Sequence, residues 1–323
     1  VRLGIIGCGV VGQRRARHLA GAQLVLCADP ELSRARDTAA LSGDCAYLRD
    51  WRDALDRSRL DAVVVATPHD VQAEITRAAI RAGIHVLVEK PGARHAEEIA
   101  DLPDLAAACG VRVRVGFNHR YHRAFREARR LLESGALGEP LFVRARYGHG
   151  GRPGLEAEWR AQPQRSGGGE LIDQGVHLID LARWFLGDFV DIDGFAHTYV
   201  WDMPVEDNGF MLLKTASKRV AFLHASLTEW KNLFSFEFYG RLGKIHVHGL
   251  GGSYGTESLS WYKNRPQMGP PDTTIYEYPM ADDSWEVEMA EFIADIERLR
   301  PPAPGLADAI AALEVVARVY AKS

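Results

Sequence analysis

Short apolar runs alternate with stretches of helical spacing through the first third of the chain. Residues 3–6, 24–28, 61–66, 85–88 and 112–117 read as strands. The run at 61–66 is almost unbroken, as expected of a parallel strand covered on both faces. Residues 13–19, 71–82 and 96–109 have helical patterns; the second stops at Gly83, a plausible C-cap, and the third is interrupted by Pro103. Repeated β–α units of this length predict a doubly wound parallel sheet, an α/β Rossmann domain. Ligands on such sheets lie beyond the carboxyl ends of the strands. Gly7, Asp29, Thr67, Lys90 and Phe117 are all strand ends and are expected to gather around one crevice.

The pattern changes from Asn118 onward. Residues 124–132 read as a helix. Strand-like runs follow at 141–147, 189–200, 209–214, 220–228, 234–239 and 244–248, several alternating apolar with polar positions. Alternation gives one buried and one open face, so this half predicts an α+β domain with a large, mostly antiparallel open sheet. A last helix at 307–320 is apolar along Ile310, Leu313 and Val316 and is expected to pack back on the first domain. The expected spans are 1–118 for the dinucleotide-binding domain, 119–302 for the substrate and oligomerisation domain, and 303–323 for the returning helix.

Composition narrows the classes. The 323 residues suffice for two domains, and 46% hydrophobic with 25% charged residues is ordinary for a globular protein. A net charge of −4 gives no electrostatic case for nucleic acid. No apolar run is long enough to cross a bilayer, and the first residues lack the layout of a secretory signal. The four cysteines lie in the first third without a CxxC pair, which suits reduced thiols in a cytoplasm. His246 and His248 alternate on one strand without an evident third ligand, so no metal is expected.

Three segments carry candidate chemistry. Gly7-Cys8-Gly9-Val10-Val11-Gly12 is a GxGxxG loop between a strand and a helix, with glycines placed for a tight turn, for approach of a pyrophosphate and for close packing. Asp29 follows Gly9 by about 20 positions, where a carboxylate holds a ribose diol and repels a 2′-phosphate. NAD is therefore favoured over NADP, although Arg34 and Arg36 leave NADP open; a plain Asp-Pro turn is the competing reading. Lys90 stands between a strand end and Pro91, from where an ammonium can stabilise an alkoxide. The alternative there is a surface lysine. In the segment 166–180, Asp173, His177 and Asp180 fall at i, i+4 and i+7 of an expected helix, one face arranged for proton transfer, while Leu171, Leu178, Ala182 and Phe185 form an apolar face. A solvated polar face with an incidental histidine competes with that reading.

Together, Gly7-x-Gly9-x-x-Gly12, Glu89-Lys90-Pro91 and Gly167-Gly168-Gly169-x-Leu171-x-Asp173-x-Gly175-x-His177-x-x-Asp180 resemble the Gfo/Idh/MocA oxidoreductases over nearly the whole chain. The resemblance implies a two-domain dehydrogenase that moves hydride between a nicotinamide and a secondary alcohol of a sugar, cyclitol or sugar nucleotide. It implies that Lys90 contacts the reacting oxygen, that His177 is the general acid/base, and that Asp173 holds substrate or assists the proton transfer. Cofactor contacts are expected from Gly7, Gly9, Val10, Val11, Gly12, Asp29, Thr67, Pro68, His69, Gln72, Glu89, Lys90, Asn118, Trp159 and Arg160. His69 and Gln72 depart from the family's usual asparagine and histidine, and both can still hydrogen-bond. The resemblance also implies a homo-oligomer, a dimer or tetramer, formed through the open sheet. The second half is similar in texture to members from surface-polysaccharide and sugar-nucleotide pathways. A catalytically silent NAD- or sugar-binding regulator of the same fold is the alternative function, and another use of a Rossmann fold such as methyl transfer is a third.

Overall fold

The computed structural model describes residues 1–56, 59–267 and 269–323. In chain order the main elements are β1 (Arg2–Ile6), α1 (Val10–Arg17), β2 (Gln23–Ala28), α2 (Leu32–Ala39), β3 (Ala46–Leu48), β4 (Ala62–Val65), α3 (His69–Arg81), β5 (His85–Glu89), α4 (Leu102–Cys109) and β6 (Val113–Gly116). They continue with α5 (Arg123–Glu133), β7 (Pro140–Gly148), α6 (Pro163–Ser166), α7 (Val176–Leu186), β8 (Phe189–His197), β9 (Asn208–Thr215) and β10 (Val220–Ser226). The last are β11 (Leu233–Gly240), β12 (Gly243–His248), β13 (Glu257–Lys263), β14 (Asp272–Tyr278), α8 (Ser284–Glu297) and α9 (Leu306–Tyr320).

Two compact units result: Val1–Phe117 with Trp285–Ala311, and Asn118–Ser284 with Ala312–Ser323. These bounds differ from the expected spans near the C-terminal end. Residues from Trp285 belong with the first unit because α8 inserts Met289 and Phe292, both fully buried, among Leu3, Ile5, Leu24 and Val64. The residues of α9 from Ala312 onward count with the second unit, where the Tyr320 hydroxyl donates to Glu206 at 2.8 Å.

Among the described residues, the first unit holds a six-stranded parallel sheet in the order β3-β2-β1-β4-β5-β6. The order reverses between β1 and β4, the switch point where α/β sheets open a ligand crevice. All four residues of β4 and of β6 are buried, as a sheet covered on both faces requires. The helix expected at 96–109 is divided into a 3₁₀ turn, Ala96–Glu98, and α4. Pro103 falls in the first turn of α4, where its missing N–H costs no intrahelical bond.

The second unit is built on an eight-stranded sheet in the order β14-β13-β12-β11-β7-β10-β9-β8, in which only β7 and β10 pair in parallel. Along β7, Val143, Ala145 and Tyr147 are buried while Phe142, Arg144 and Arg146 are exposed. Helix α7 packs on the inner side of β7 and β10. Phe142, Leu212 and Phe222 stand on exposed positions of β7, β9 and β10. β13 and β14 were not foreseen, because their ESLSWYK and DTTIYEY sequences mix polar and apolar residues without a clean period.

Candidate functional site

At the cofactor end of the first unit, two glycines of the loop, Gly7 and Gly12, have no room for a side chain. Gly7 has a φ of +91°, and a Cβ there would lie 2.5 Å from the Ala66 carbonyl oxygen; one on Gly12 would lie 1.9 Å from the Gly7 carbonyl oxygen. At Gly9 a Cβ would meet nothing within 4 Å, so the outer side of the loop is open to a ligand. Helix α1 begins there with no side-chain cap and no acidic residue in its first turn. Val10, on that turn, is exposed and Val11 is half-buried. Uncapped N–H groups at a helix start favour phosphate. Asp29 is fixed beside the loop: one carboxylate oxygen accepts from the Cys8 N–H and the other from the Glu31 N–H, both at 2.8 Å. The loop, the helix start and the carboxylate fit a dinucleotide.

The next strand ends are tied to one another. Pro68 precedes α3, and His69 is its buried first residue. The Gln72 amide donates to the Thr67 carbonyl at 3.2 Å and accepts from the Gly92 N–H at 3.1 Å, so one buried side chain joins the loops after β4 and β5. Lys90 follows β5, is half-buried, and precedes a cis peptide bond to Pro91.

Glu89 is engaged inside the unit. Its carboxylate accepts from Arg15 Nε at 2.7 Å, and Arg15 also pairs with Glu288 of α8 at 2.6 Å. Arg15 is fully buried, with its guanidinium 4.4 Å from the Trp285 ring centroid. Burial first, and then the charge of Glu89, push the Glu288 carboxyl up to about 7 against the pull of Arg15. Arg15 was missed in the sequence because it lies in the basic run Gln13-Arg14-Arg15-Ala16-Arg17. Its signal was its spacing with Gly12 and Ala16, the other buried residues of α1.

In the second unit the helix expected over 166–180 is not continuous. Leu171–Gly175 forms a π-helical turn, and α7 starts at Val176. The carboxylate of Glu206 holds the beginning of that turn, accepting from the Gly169 and Leu171 N–H groups at 2.9 and 3.0 Å. Asp173 lies in the π-helical turn, and His177 and Asp180 lie in α7. Asp180 forms a buried ion pair with Arg120, accepting from Nε at 2.8 Å and Nη2 at 2.5 Å. Leu171, Leu178, Ala182 and Phe185 are buried.

His177 is 4% exposed. Its ring centroid lies 3.8 Å from that of His119 and 6.3 Å from that of Tyr147. The Tyr147 ring lies 5.4 Å from that of Tyr254 between centroids. Burial, with Tyr254, Glu170 and Asp173 nearby, holds the Tyr147 phenol well above its ordinary value, and Tyr254 is pushed up to about 12, chiefly by burial. Burial also lowers His149 against the pull of Asp173, with smaller contributions in the same direction from Arg152 and Arg160. Both phenols and the His149 imidazole are therefore neutral near pH 7. Asp173 accepts from Arg160 Nε at 3.0 Å, and the Arg160 guanidinium lies 4.7 Å from the Trp159 ring centroid. Asn118 donates to the Ser284 hydroxyl at 3.0 Å.

Neutral hydroxyls, a neutral His149 and further imidazoles beside carboxylates suit a polyhydroxylated ligand and a proton transfer. The sequence reading did not select His119, Tyr147, His149 or Glu170, which stand on a 3₁₀ turn, a strand end and a loop where no periodicity marks them. Among the described residues, no group of three or more His, Cys, Asp or Glu is placed to hold a metal; His246 lies 2.9 Å from the Ser235 hydroxyl.

Comparison with known proteins bears on both units. Residues 1–117 match the family model described as an oxidoreductase family with an NAD-binding Rossmann fold, and residues 125–246 match that of the Gfo/Idh/MocA C-terminal domain. A levoglucosan dehydrogenase of Pseudarthrobacter phenanthrenivorans is 30% identical over 67% of this chain and 58% of its own length. Inositol 2-dehydrogenase 2 of Saccharopolyspora erythraea is 32% identical over 77% of this chain and 73% of its own. The chain thus spans less than two thirds of the levoglucosan dehydrogenase it matches. A solved levoglucosan dehydrogenase in complex with NADH and levoglucosan shares the fold at a TM-score of 0.88 and 23% identity, covering 100% of this chain and 97% of the other. With an NAD-binding Rossmann fold in its first 117 residues and the family's C-terminal domain behind it, the chain belongs to the Gfo/Idh/MocA oxidoreductases.

Proposed function

We propose that the protein is an NAD-dependent dehydrogenase acting on a secondary alcohol, or the corresponding ketone, of a sugar, cyclitol or sugar nucleotide. The observation that carries this reading is the setting of His177: a buried imidazole against His119 and Tyr147, in a second unit whose Asp173 is braced by Arg160. Relatives named as levoglucosan and inositol dehydrogenases support the substrate class.

When bound, the nicotinamide accepts or returns the hydride. The chain's residues manage the oxygen and its proton. His177 takes the hydroxyl proton during oxidation and returns it during reduction. Lys90 stabilises the developing alkoxide as a fixed ammonium. Asp173, oriented by Arg160, holds the substrate. The glycine loop, Val10, Val11 and Asp29 bind the dinucleotide, with Thr67, Pro68, His69, Gln72 and Glu89 shaping the neighbouring loops; Asn118, Trp159 and Arg160 complete the contacts the resemblance implies.

The test is an absorbance assay for reduced nicotinamide against a panel of polyols, cyclitols and sugar nucleotides. His177→Ala is expected to lose about 10²–10⁴-fold in turnover while still binding NADH. Unchanged turnover in that variant would reject the assignment. Exposed Phe142, Leu212 and Phe222 support the companion proposal that the open sheet pairs with a second copy, as a dimer or tetramer. Light scattering at micromolar concentration checks this, and a monodisperse monomer would contradict it. The four unbridged cysteines support a cytoplasmic setting.

A further inference from the structure

The proton taken up by His177 must leave a ring that solvent hardly reaches. His119 lies against that ring at 3.8 Å between centroids, and is itself 5% exposed. The next ring, His122, lies 5.5 Å from His119 and is 3% exposed. Its Nδ1 is 3.0 Å from a Glu257 oxygen and 3.7 Å from an Asp282 oxygen. The other Glu257 oxygen accepts from the Ala124 N–H at 2.6 Å, so that carboxylate is anchored and buried. The Asp282 side chain is 32% exposed and reaches water. Three imidazoles and two carboxylates therefore form a succession from the buried base to the surface.

Imidazole can accept a proton on one nitrogen and release one from the other. A carboxylate can only accept, so its contact makes Nδ1 the protonated nitrogen of His122 and leaves Nε2 as the accepting one. The Tyr147 and Phe234 rings also lie near His119, at 5.3 and 5.9 Å between centroids.

We propose that His119 and His122 carry the proton between His177 and the Asp282 carboxylate, with Glu257 steadying His122 while it is charged. The proposal rests on the reading of His177 as the base. For each hydride removed from the substrate carbon, one hydroxyl proton enters at His177. One proton then advances from His177 to His119, from His119 to His122, and from His122 through Asp282 to water. Each ring ends neutral, and no electrons move along the path. In the direction of reduction the same steps run inward.

The experiment uses the full chain with NAD and whichever polyol supports turnover. His119→Phe and His122→Phe are expected to lower kcat about tenfold or more, with the KM for NAD unchanged and a solvent deuterium isotope effect larger than that of the wild type. Free imidazole is expected to restore turnover of His119→Ala in a concentration-dependent way. The exposed Asp282→Asn, which keeps an acceptor for the Ser284 N–H, gives a variant expected to fold and to show a smaller loss in the same sense. NADH binding and thermal midpoint report folding. His177→Ala inactive beside fully active His119→Phe and His122→Phe would overturn the relay alone. Loss of turnover without imidazole rescue and with an unchanged isotope effect would overturn it as well, leaving the histidines as packing. Full activity in His177→Ala would overturn both the relay and the reading beneath it.

Discussion

Each unit buries an arginine beneath its candidate site, but the two are balanced differently. In the second unit Arg120 meets the carboxylate of Asp180 in a two-pronged pair. In the first, Arg15 stands between two carboxylates, Glu89 and Glu288; Arg15 and Glu288 are fully buried and Glu89 nearly so. The excess is not tolerated as charge, and burial raises Glu288 to about 7. A two-pronged arginine–carboxylate pair fixes a geometry by its paired hydrogen bonds. The unmatched trio fixes the strand end before Lys90 in a way that depends on one proton.

The largest test removes the cations. Arg120→Met and Arg15→Met should each cost about 3–5 kcal/mol in denaturant unfolding, because each strands buried carboxylate. Adding Asp180→Leu to Arg120→Met should recover most of that loss, since the remaining pair is apolar. The Arg15→Met loss should be smaller at pH 6 than at pH 8, because Glu288 can then take a proton. Equal losses at both values would erase the proposed difference between the units.

The second test is the pH profile of the wild type. Between the ordinary carboxylate value of 4.5 and about 7, native Glu288 holds a proton that the unfolded chain has released. Raising pH through that window therefore removes stability, on the order of 3 kcal/mol in all, and none of this contribution is lost below it. Glu288→Gln should flatten that component. Trp285 fluorescence, from the ring stacked on Arg15, follows the unit directly.

A third, smaller perturbation targets the space around the trio. A Cβ at Gly116 would lie 3.0 Å from both an Arg15 nitrogen and a Glu89 oxygen, so Gly116→Ala should cost about 1–3 kcal/mol by calorimetry. The smallest effect is expected where charge pairing meets water. Arg144 pairs with Glu237 at 2.8 Å on the exposed sheet face, and Arg144→Gln should change stability by less than about 1 kcal/mol.

Legibility in the sequence followed the physics of each element. The Rossmann sheet was readable because strands such as β4 are covered on both faces and so are continuously apolar. The larger sheet was readable where one face is dry, as in β7 and β10, and not at its β13–β14 end, where polar residues face solvent. The α8 helix was overlooked, since nothing local announces that Met289 and Phe292 join a core formed by the first hundred residues. The glycine loop and Asp29 were found by spacing. His119, His122 and Glu257 could not be, because their proximity is made by a 3₁₀ turn meeting a strand more than a hundred positions away. The π-helical turn was also invisible, as it depends on Glu206 reaching two N–H groups from a distant loop.

The amide of Gln72 works as a staple with unlike prongs: its nitrogen grips a carbonyl after β4, its oxygen an N–H after β5. Chemistry at one position can therefore release either grip separately. A glutamate would keep the hold on Gly92 while pushing against Thr67, whereas a leucine would let go of both. The loops after β4 and β5 are thus tied through one side chain, and the tie to one can be loosened while the tie to the other is kept.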